Sequence, residues 1–317
     1  MTEILVRRGT VHGMSMADYA AVLRERLPEA TVERPATGRE ELSAIETAEV
    51  VTGGDLSAEE LERAEKLRYF ACSSAGYEHL PLDDLATADV AVTNAAGVHG
   101  PNVAEYVLGA LLSFERDFFE ARHRQQRREW RSYRAGELAG SRVVVVGMGA
   151  IGQAIVERLQ GFDVETVGVR YSPSKDTPTD AVYAYDEIEE ATADADALAL
   201  ACPLSQETRG LVGREVFANL DPDATVVNVA RGPVVDTEAL VRALRTNAIG
   251  GAALDVTDPE PLPEDHVLWG FDNVLITPHN AGHTPEYFDR LADIVAENVQ
   301  RAEKSAEWHD FRNQILP

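Results

Sequence analysis

Residues 143–152 read Val-Val-Val-Val-Gly-Met-Gly-Ala-Ile-Gly, and this stretch decides the fold of the 317-residue chain. Four consecutive valines predict a strand that is buried on both faces, and residues 153–159 predict a helix after it. Between the two, the glycines form the pattern G-x-G-x-x-G. In this strand–turn–helix context the pattern predicts a loop that binds the pyrophosphate of a dinucleotide: Gly147 makes the turn, Gly149 admits the phosphates, and Gly152 lets the helix pack on the strand.

Strand-like and helix-like segments alternate along the rest of the chain. Apolar runs of strand character lie at residues 166–170, 197–201, 225–230, 251–256 and 273–278, with helix-like stretches such as 237–246 between several of them. The first hundred residues show a looser alternation, with candidate strands at 49–52 and 67–72 and a helix at 57–66, capped by Ser57 with Glu60 three residues on. The pattern predicts an α/β fold with two Rossmann-like domains, each built on a parallel sheet.

Two long helix-like segments indicate how the domains divide the chain. Residues 102–130 leave the first domain and start the second, and residues 285–304 follow the last strand of the second domain and cross back to the first. We therefore expect a discontinuous substrate domain, 1–100 plus 285–317, around a continuous dinucleotide-binding domain, 101–284.

The charge balance is strongly acidic. Aspartate and glutamate total 54 against 29 basic residues, a formal net charge of −25, and the lysines are Lys66, Lys175 and Lys304. Such a surface disfavours nucleic acid and anionic membranes, because phosphate binding requires basic patches. The acid-rich, lysine-poor composition resembles that of halophilic proteins, in which mobile ions screen self-repulsion.

The remaining composition predicts a soluble, cytoplasmic protein. No apolar run approaches the length of about 20 residues that spans a bilayer, and the first residues lack the apolar stretch of a signal peptide. Cys72 and Cys202 are the two cysteines, so a disulfide framework is not expected, and no metal site is expected either.

The predicted strand at residues 166–170, which follows the glycine loop, ends in residues that affect the choice of cofactor. A site selective for NAD places an acidic residue about 20 positions after the glycines, where it binds the ribose 2′-hydroxyl. Arg170 occupies that strand end, and a guanidinium suits the 2′-phosphate of NADP. Ser172 and Lys175 can assist. We expect NADPH to be favoured, and use of NAD as well stays open.

Three more segments follow predicted strands, with the sequences Asn-Val-Ala-Arg-Gly (228–232), Leu-Asp-Val-Thr-Asp-Pro-Glu-Pro (254–261) and Thr-Pro-His-Asn-Ala-Gly (277–282). Ligands of open α/β sheets bind beyond the carboxyl ends of the strands, so these segments should lie on the cofactor side. With the glycine loop and residues 203–208, their order and spacing resemble the D-isomer-specific 2-hydroxyacid dehydrogenase family over nearly the whole chain. In one departure, many members have a histidine where this chain has Ala201.

The resemblance implies that Arg231, Glu260 and His279 are the catalytic residues. A histidine can exchange a proton near neutral pH, so His279 is assigned as general acid/base and Glu260 as the carboxylate that orients it. The planar fork of Arg231 suits binding of the substrate carboxylate and polarisation of the carbonyl. The other histidines, among them His12, His99 and His309, are interpreted as surface or structurally satisfied residues.

The resemblance also assigns binding residues. The segment from Ser73 to Glu78 resembles the family's substrate loop, in which the amides of Ala75 and Gly76 bind the substrate carboxylate and Tyr77 lines the pocket. Asp255 matches a position that contacts the nicotinamide carboxamide. The other cofactor contacts implied are Gly147, Met148, Gly149, Ala150, Ile151, Gly152, Cys202, Pro203, Thr208, Val229, Ala230, His279 and Gly282.

The expected function is therefore that of a D-2-hydroxyacid dehydrogenase, which transfers hydride between NAD(P)H and a small 2-keto acid. Glyoxylate/hydroxypyruvate reductase and D-3-phosphoglycerate dehydrogenase are alternatives within the class. A dinucleotide-sensing, corepressor-like binding protein is the alternative from another class. The expected partners are the small-molecule substrate and, by resemblance, a second copy of the chain in a homodimer, with the predicted 102–130 helix as the candidate interface.

Overall fold

A computed structural model describes residues 1–77, 79–175 and 177–316. The chain divides into two compact units: unit 1 comprises Met1–Val98 and His283–Pro317, and unit 2 comprises His99–Gly282. Within the described ranges, no helix combines the length and the apolar character needed to cross a membrane.

The elements are numbered in chain order over the described residues. The strands are β1 (Glu3–Val6), β2 (Thr10–Val11), β3 (Met14–Ser15), β4 (Thr31–Glu33), β5 (Val50–Gly53), β6 (Tyr69–Cys72), β7 (Ala91–Thr93), β8 (Arg142–Val146), β9 (Glu165–Val169), β10 (Ala181–Tyr183), β11 (Ala197–Leu200), β12 (Thr225–Asn228), β13 (Gly251–Leu254), β14 (Val274–Ile276) and β15 (Gln314–Leu316). The α-helices are α1 (Met16–Arg26), α2 (Gly38–Ala44), α3 (Ala58–Arg63), α4 (Leu82–Thr87), α5 (Gly100–Glu115), α6 (Phe118–Arg127), α7 (Ala150–Leu159), α8 (Ile188–Ala191), α9 (Arg214–Asn219), α10 (Thr237–Arg245) and α11 (Tyr287–Ser305).

Unit 2 is built on a parallel sheet with strand order β10-β9-β8-β11-β12-β13-β14. The four valines of β8 are fully buried, because α5 and α7 cover one face of the sheet while α8, α9 and α10 cover the other. Full burial of a valine contributes roughly 1.5–3 kcal/mol, so this run is a large part of the core. The strand order reverses between β8 and β11, and such a switch point is where open α/β sheets bind their ligands.

Unit 1 contains a second sheet, with order β15-β7-β6-β5-β1-β4, in which β15 is antiparallel and the other pairs are parallel. Helices α1 and α11 pack on one face, around buried Tyr19 and Tyr287. The predicted α/β class with parallel sheets is thus confirmed. The capping box predicted at Ser57 and Glu60 is also present, at the start of α3.

The prediction of one helix over residues 102–130 was wrong. The segment forms α5 and α6, separated at Asp117, which has a left-handed backbone (φ 49°) and caps α6 by accepting a hydrogen bond from the amide of Glu120. Trp130 lies beyond the end of α6 and is fully exposed. The sequence did not reveal the break, because Asp117 stands within a continuous run of residues compatible with a helix.

Candidate active site

The predicted site residues of unit 2 follow strands of one parallel sheet. Parallel strands end at the same edge, so the loops after β8, β9, β11, β12, β13 and β14 all emerge there. The loop after β12 carries Arg231, the loop after β13 carries Glu260, and the loop after β14 carries His279. The order β12-β13-β14 makes these three loops neighbours.

Glu260 and His279 form a direct pair. The Nδ1 atom of His279 lies 3.0 Å from Oε2 of Glu260, and Oε1 of the same carboxylate accepts a hydrogen bond from the amide of Thr257 at 3.0 Å. A carboxylate accepts only, so Nδ1 carries the proton in this contact. The Nε2 atom has no hydrogen-bond partner among the described residues, and both side chains are substantially exposed. The imidazole is therefore held at one nitrogen and available at the other.

The buried carboxylate of Asp255 fixes the turn that carries His279. Its Oδ1 accepts hydrogen bonds from the amide of Asn280 (2.7 Å) and the hydroxyl of Thr277 (2.6 Å), and its Oδ2 accepts one from the amide of Ala281 (2.9 Å). Its backbone carbonyl accepts from the amide of His279 at 2.8 Å. These bonds stabilise His279 in the left-handed region (φ 53°), where a non-glycine residue is uncommon.

Helix α5 supports the same turn through Asn102 and through Tyr106, a residue that the sequence analysis did not identify. The hydroxyls of Tyr106 and Thr277 are 2.7 Å apart, and Asn102 donates to the carbonyl of Ala281 at 2.8 Å. Burial raises the pKa of Tyr106, so this phenol stays a neutral hydrogen-bonding group. Periodicity places Tyr106 on a helix but gives no sign of its partner, because the contact joins positions that are distant in sequence.

The loop after β12 holds Arg231 against the loop that carries Glu260. Asn228 bridges its own loop, donating to the carbonyl of Arg231 at 3.2 Å and accepting from the amide of Ala230 at 3.0 Å. At Gly232 a Cβ atom would lie 2.0 Å from the carbonyl oxygen of Thr257, so only glycine permits this approach. The exposed Arg231 guanidinium donates to the carbonyl of Ala230 at 2.7 Å and pairs with no described carboxylate.

The glycine loop fits a dinucleotide. A Cβ at Gly152 would lie 1.8 Å from the carbonyl oxygen of Gly147, and Gly147 itself has φ 96°. Gly149, by contrast, faces open space and begins α7 without a side-chain cap. The amides of the first turn of α7 are therefore available to a pyrophosphate, together with the positive end of the helix dipole.

The other residues predicted to contact the cofactor lie in or beside these loops. Cys202 is buried next to Gly147, and burial raises the pKa of its thiol to about 11, so it stays protonated at neutral pH. Thr208 is fully buried, and its hydroxyl donates to the carbonyl of Pro203 at 2.7 Å, so it supports the loop after β11. The remaining members of the set are placed as follows: Met148 and Ala230 are buried, Ile151 and Val229 are half-buried, Ala150 is exposed, and Gly282 accepts a hydrogen bond from His99 at 2.9 Å.

The strand end at Arg170 lies on the same edge of the sheet. Arg170 is half-buried, and its amide donates to the carbonyl of Tyr183 at 3.0 Å. Burial raises the pKa of Tyr185 to about 12, and the nearby guanidinium of Arg170 partly offsets this effect. Among the described residues Arg170 forms no ion pair. Ser172 and the exposed Lys175 follow in the same turn.

Unit 1 presents the loop at residues 73–77 at the carboxyl end of β6. The carbonyl of Ala75 accepts a hydrogen bond from Asn94 and that of Gly76 accepts one from Ser74, both at 2.7 Å. The amides of Ala75 and Gly76 have no acceptor among the described residues. Tyr77 packs against the core of the unit. Glu78, the last residue of the predicted loop, lies outside the described residues.

No group of three or more histidine, cysteine or acidic side chains in residues 1–77, 79–175 and 177–316 has the arrangement of a metal site. Unit 2 thus carries an imidazole paired with a carboxylate, a guanidinium that pairs with no carboxylate among the described residues, and a loop that fits a dinucleotide.

Comparison with known proteins agrees with this chemistry. Residues 108–281 match the family model of the D-isomer specific 2-hydroxyacid dehydrogenase, NAD binding domain. A glyoxylate reductase of Thermofilum pendens is 35% identical over 251 residues, which are 77% of this chain and 74% of that protein.

Solved structures are similar over the full length. A D-isomer specific 2-hydroxyacid dehydrogenase family protein from Aeromonas salmonicida aligns with 99% of this chain and 98% of its own, at 30% identity and a TM-score of 0.78. An NADPH-dependent glyoxylate/hydroxypyruvate reductase from Sinorhizobium meliloti aligns over the same shares, at 25% identity and a TM-score of 0.75.

Proposed function

Because the chain belongs to the D-isomer specific 2-hydroxyacid dehydrogenase family, we propose that it reduces a small 2-keto acid with His279 as the general acid. As a member of that family it is an NAD(P)-dependent oxidoreductase that acts on the CH–OH group of 2-hydroxy acids. The observation that carries the proposal is the 3.0 Å contact between Glu260 and Nδ1 of His279, which leaves Nε2 available to the substrate.

In the proposed reaction, each catalytic group has one task. The guanidinium of Arg231 binds the substrate carboxylate and polarises the keto group, because it presents two parallel donors and pairs with no carboxylate among the described residues. The Nε2–H of protonated His279 donates its proton to the carbonyl oxygen, and Glu260 stabilises the imidazolium through Nδ1–H. A reduced nicotinamide dinucleotide held at the glycine loop would supply the hydride for the carbonyl carbon. Hydride and proton together convert the keto acid to the hydroxy acid.

We assign substrate binding to unit 1 and dinucleotide binding to unit 2. The free amides of Ala75 and Gly76 support the first assignment, since neighbouring N–H groups can hold a carboxylate. From the family resemblance we also propose that Asp255 contacts the nicotinamide carboxamide. Its carboxylate already accepts three hydrogen bonds from the loop after β14.

Glyoxylate and hydroxypyruvate are the first substrates to test. Relatives named for these reductions support that choice, and D-3-phosphoglycerate dehydrogenase stays an alternative within the class. For the cofactor we propose that NADPH is favoured over NADH. The support is chemical: Arg170 ends the strand after the glycine loop, where an NAD-selective site would hold an acidic residue.

We also propose a homodimer whose interface includes α6. Helix α5 packs closely on α7, so the candidate interface narrows to α6 and the segment after it. There, Phe118 is 54% exposed and Trp130 is fully exposed, beside a groove of about 900 Å³. Two large apolar side chains exposed on one surface favour an interaction site. A monomeric mass by light scattering in concentrated salt would overturn the dimer.

We propose a cytoplasmic enzyme adapted to a salt-rich environment, and the acidic composition supports the salt adaptation. Self-repulsion at a net charge of −25 destabilises a compact fold unless mobile ions screen it.

The decisive experiment is a set of initial rates with glyoxylate, hydroxypyruvate, pyruvate and longer 2-keto acids in concentrated salt, with NADPH and NADH in parallel. We expect rapid turnover of at least one keto acid. Dinucleotide binding without turnover of any member would overturn the proposal and favour a sensor that binds the cofactor without catalysis.

A further inference from the structure

One face of helix α5 is bonded to the segment that carries His279, residues 277–282. Spacings of three and four positions place three residues on that face: His99, which directly precedes the helix, Asn102 and Tyr106. In that order, they contact the carbonyl of Gly282 at 2.9 Å, the carbonyl of Ala281 at 2.8 Å and the hydroxyl of Thr277 at 2.7 Å. The segment is therefore attached to α5 at both of its ends.

Helix α5 is a firm support for these bonds. Its neighbouring face, which includes Ala104, Val107 and Leu111, is buried and packs against α7 in the core of unit 2. The segment needs such a support, because Pro278 has no N–H group to donate and His279 has a left-handed backbone at φ 53°. A non-glycine residue persists in that conformation only where its surroundings hold it.

The contact between Tyr106 and Thr277 continues to Asp255. The hydroxyl of Thr277 donates to Oδ1 of Asp255 at 2.6 Å, because a carboxylate can only accept. Its oxygen therefore accepts the proton of Tyr106, and the three groups form a relay of hydrogen bonds directed towards the carboxylate. Burial, and to a lesser degree the charge of Asp255, raises the pKa of Tyr106, so the phenol keeps the proton that it donates.

Asp255 depends on this relay because its carboxylate is buried. The residue is 3% exposed and pairs with no arginine, lysine or histidine in the described part of the chain. A buried carboxylate without a cation is stabilised by the hydrogen bonds that it accepts, and a donor that itself receives a hydrogen bond is the stronger donor. The oxygen that Thr277 contacts also accepts from the amide of Asn280, so the relay ends at the backbone next to His279.

We propose that Tyr106 is a positioning residue for the reduction: through Thr277 and Asp255, its hydroxyl fixes the backbone from which His279 presents Nε2 to the substrate. The inference rests on the proposed function and extends the machinery of that site to helix α5. The phenol donates no proton to the substrate, and its effect reaches the reaction only through the imidazole. Loss of its hydroxyl should therefore slow the proton transfer and leave substrate binding unchanged.

The test is Tyr106→Phe, which removes the hydroxyl and retains the ring. With the best keto acid found for the wild type, kcat should fall about three- to tenfold, the effect of one hydrogen bond, and KM should change less than about twofold. In the His279→Asn background, the same substitution should change the residual kcat less than about twofold, because the group that Tyr106 positions is absent. A loss that persisted in full in that background would overturn the proposal.

Two substitutions at Thr277 test the relay independently. Thr277→Val removes both of its hydrogen bonds and should lower kcat at least as much as Tyr106→Phe does. Thr277→Ser keeps the hydroxyl, so its kcat should stay within about twofold of the wild type. Equal losses for the two variants would show that the hydroxyl of Thr277 does not connect Tyr106 to Asp255.

Tyr19→Phe is the matched control. The buried hydroxyl of Tyr19 lies 3.2 Å from that of Thr52 in unit 1, so this variant also loses a bond between a tyrosine and a threonine. It should lower the midpoint of thermal unfolding and leave kcat unchanged. Wild-type turnover with an unchanged kcat for Tyr106→Phe would overturn this inference and leave the reductase function intact. Absence of turnover with every keto acid would instead overturn the function, and this inference with it.

Discussion

The amide of His279 donates a hydrogen bond to the backbone carbonyl of Asp255 at 2.8 Å, while the side chain of Asp255 accepts from the next two amides along the chain. The aspartate thus determines the path of the turn, and Glu260 determines the orientation of the ring. Two acidic residues from one loop therefore position a histidine from the next. Because Asp255 fixes the backbone and Glu260 the ring, the substitutions of the two residues should have different effects.

Glu260 acts through His279, so the effects of substituting the two residues on kcat should not be additive. Glu260→Gln keeps the shape of the side chain but stabilises an imidazolium less, and we expect kcat to fall by about 10²-fold. The kcat of His279→Asn should be lower still. The double variant should be no slower than His279→Asn alone, because groups that act as a unit show non-additive effects. Glu264→Gln, an exposed glutamate nearby, is the control. Additive losses would contradict the pairing.

Asp255 should matter for stability as well as for rate. In Asp255→Asn an amide group faces backbone N–H donors, so at least one buried donor loses its acceptor, at a cost of about 1–3 kcal/mol. We expect a lower midpoint of denaturant unfolding together with a lower kcat. The same substitution at exposed Asp258 should change neither quantity. A variant at Asp255 with wild-type stability would show that the hydrogen bonds to Asn280 and Ala281 do not hold the turn.

Arg170 should determine the response to the 2′-phosphate. Arg170→Asp removes a bidentate phosphate donor and introduces repulsion, so the dissociation constant for NADPH should rise by tenfold or more, since about 1.4 kcal/mol corresponds to a factor of ten. Affinity for NADH should stay the same or improve, because an acidic residue can bind the ribose hydroxyl. Arg214→Asp, at an exposed position of the same unit, is the control. An unchanged ratio of the two affinities would mean that this strand end does not contact the 2′ position.

Salt should stabilise the protein. Screening lengths shorten from about 10 Å at 0.1 M to about 3 Å at 1 M, so repulsion among the many carboxylates weakens as salt rises. We expect the midpoint of thermal unfolding to increase with sodium chloride concentration up to the molar range, and activity to decay in dilute buffer. Full activity after prolonged incubation in dilute buffer would contradict the adaptation.

Most of the fold could be predicted from the sequence, because buried parallel strands leave a strong apolar signal. The valines of β8 and the glycines after them predicted a strand, a turn and a helix, and the structure contains each of them. The break at Asp117 could not be predicted, since it depends on a single left-handed residue within otherwise helical sequence.

The site was partly predictable for a related reason. Parallel strands end at one edge of a sheet, so the segments with Arg231, Glu260 and His279 could be placed on the cofactor side, while the roles of the three residues came from the family resemblance. The supporting contacts could not. The hydrogen bond between Tyr106 and Thr277 and the one from Asn102 to the carbonyl of Ala281 join residues that are distant in sequence, and no local pattern marks them.

The central claim is that His279 supplies the proton for reduction of a 2-keto acid. It is tested most directly by the rate of NADPH oxidation with the best keto acid for the wild type and for His279→Asn, with dinucleotide affinity measured separately for both. Asparagine tolerates the left-handed backbone at this position, so the turn should survive the change. The account predicts a fall in kcat of about 10²–10⁴-fold with little change in cofactor affinity. Turnover near the wild-type rate would contradict it.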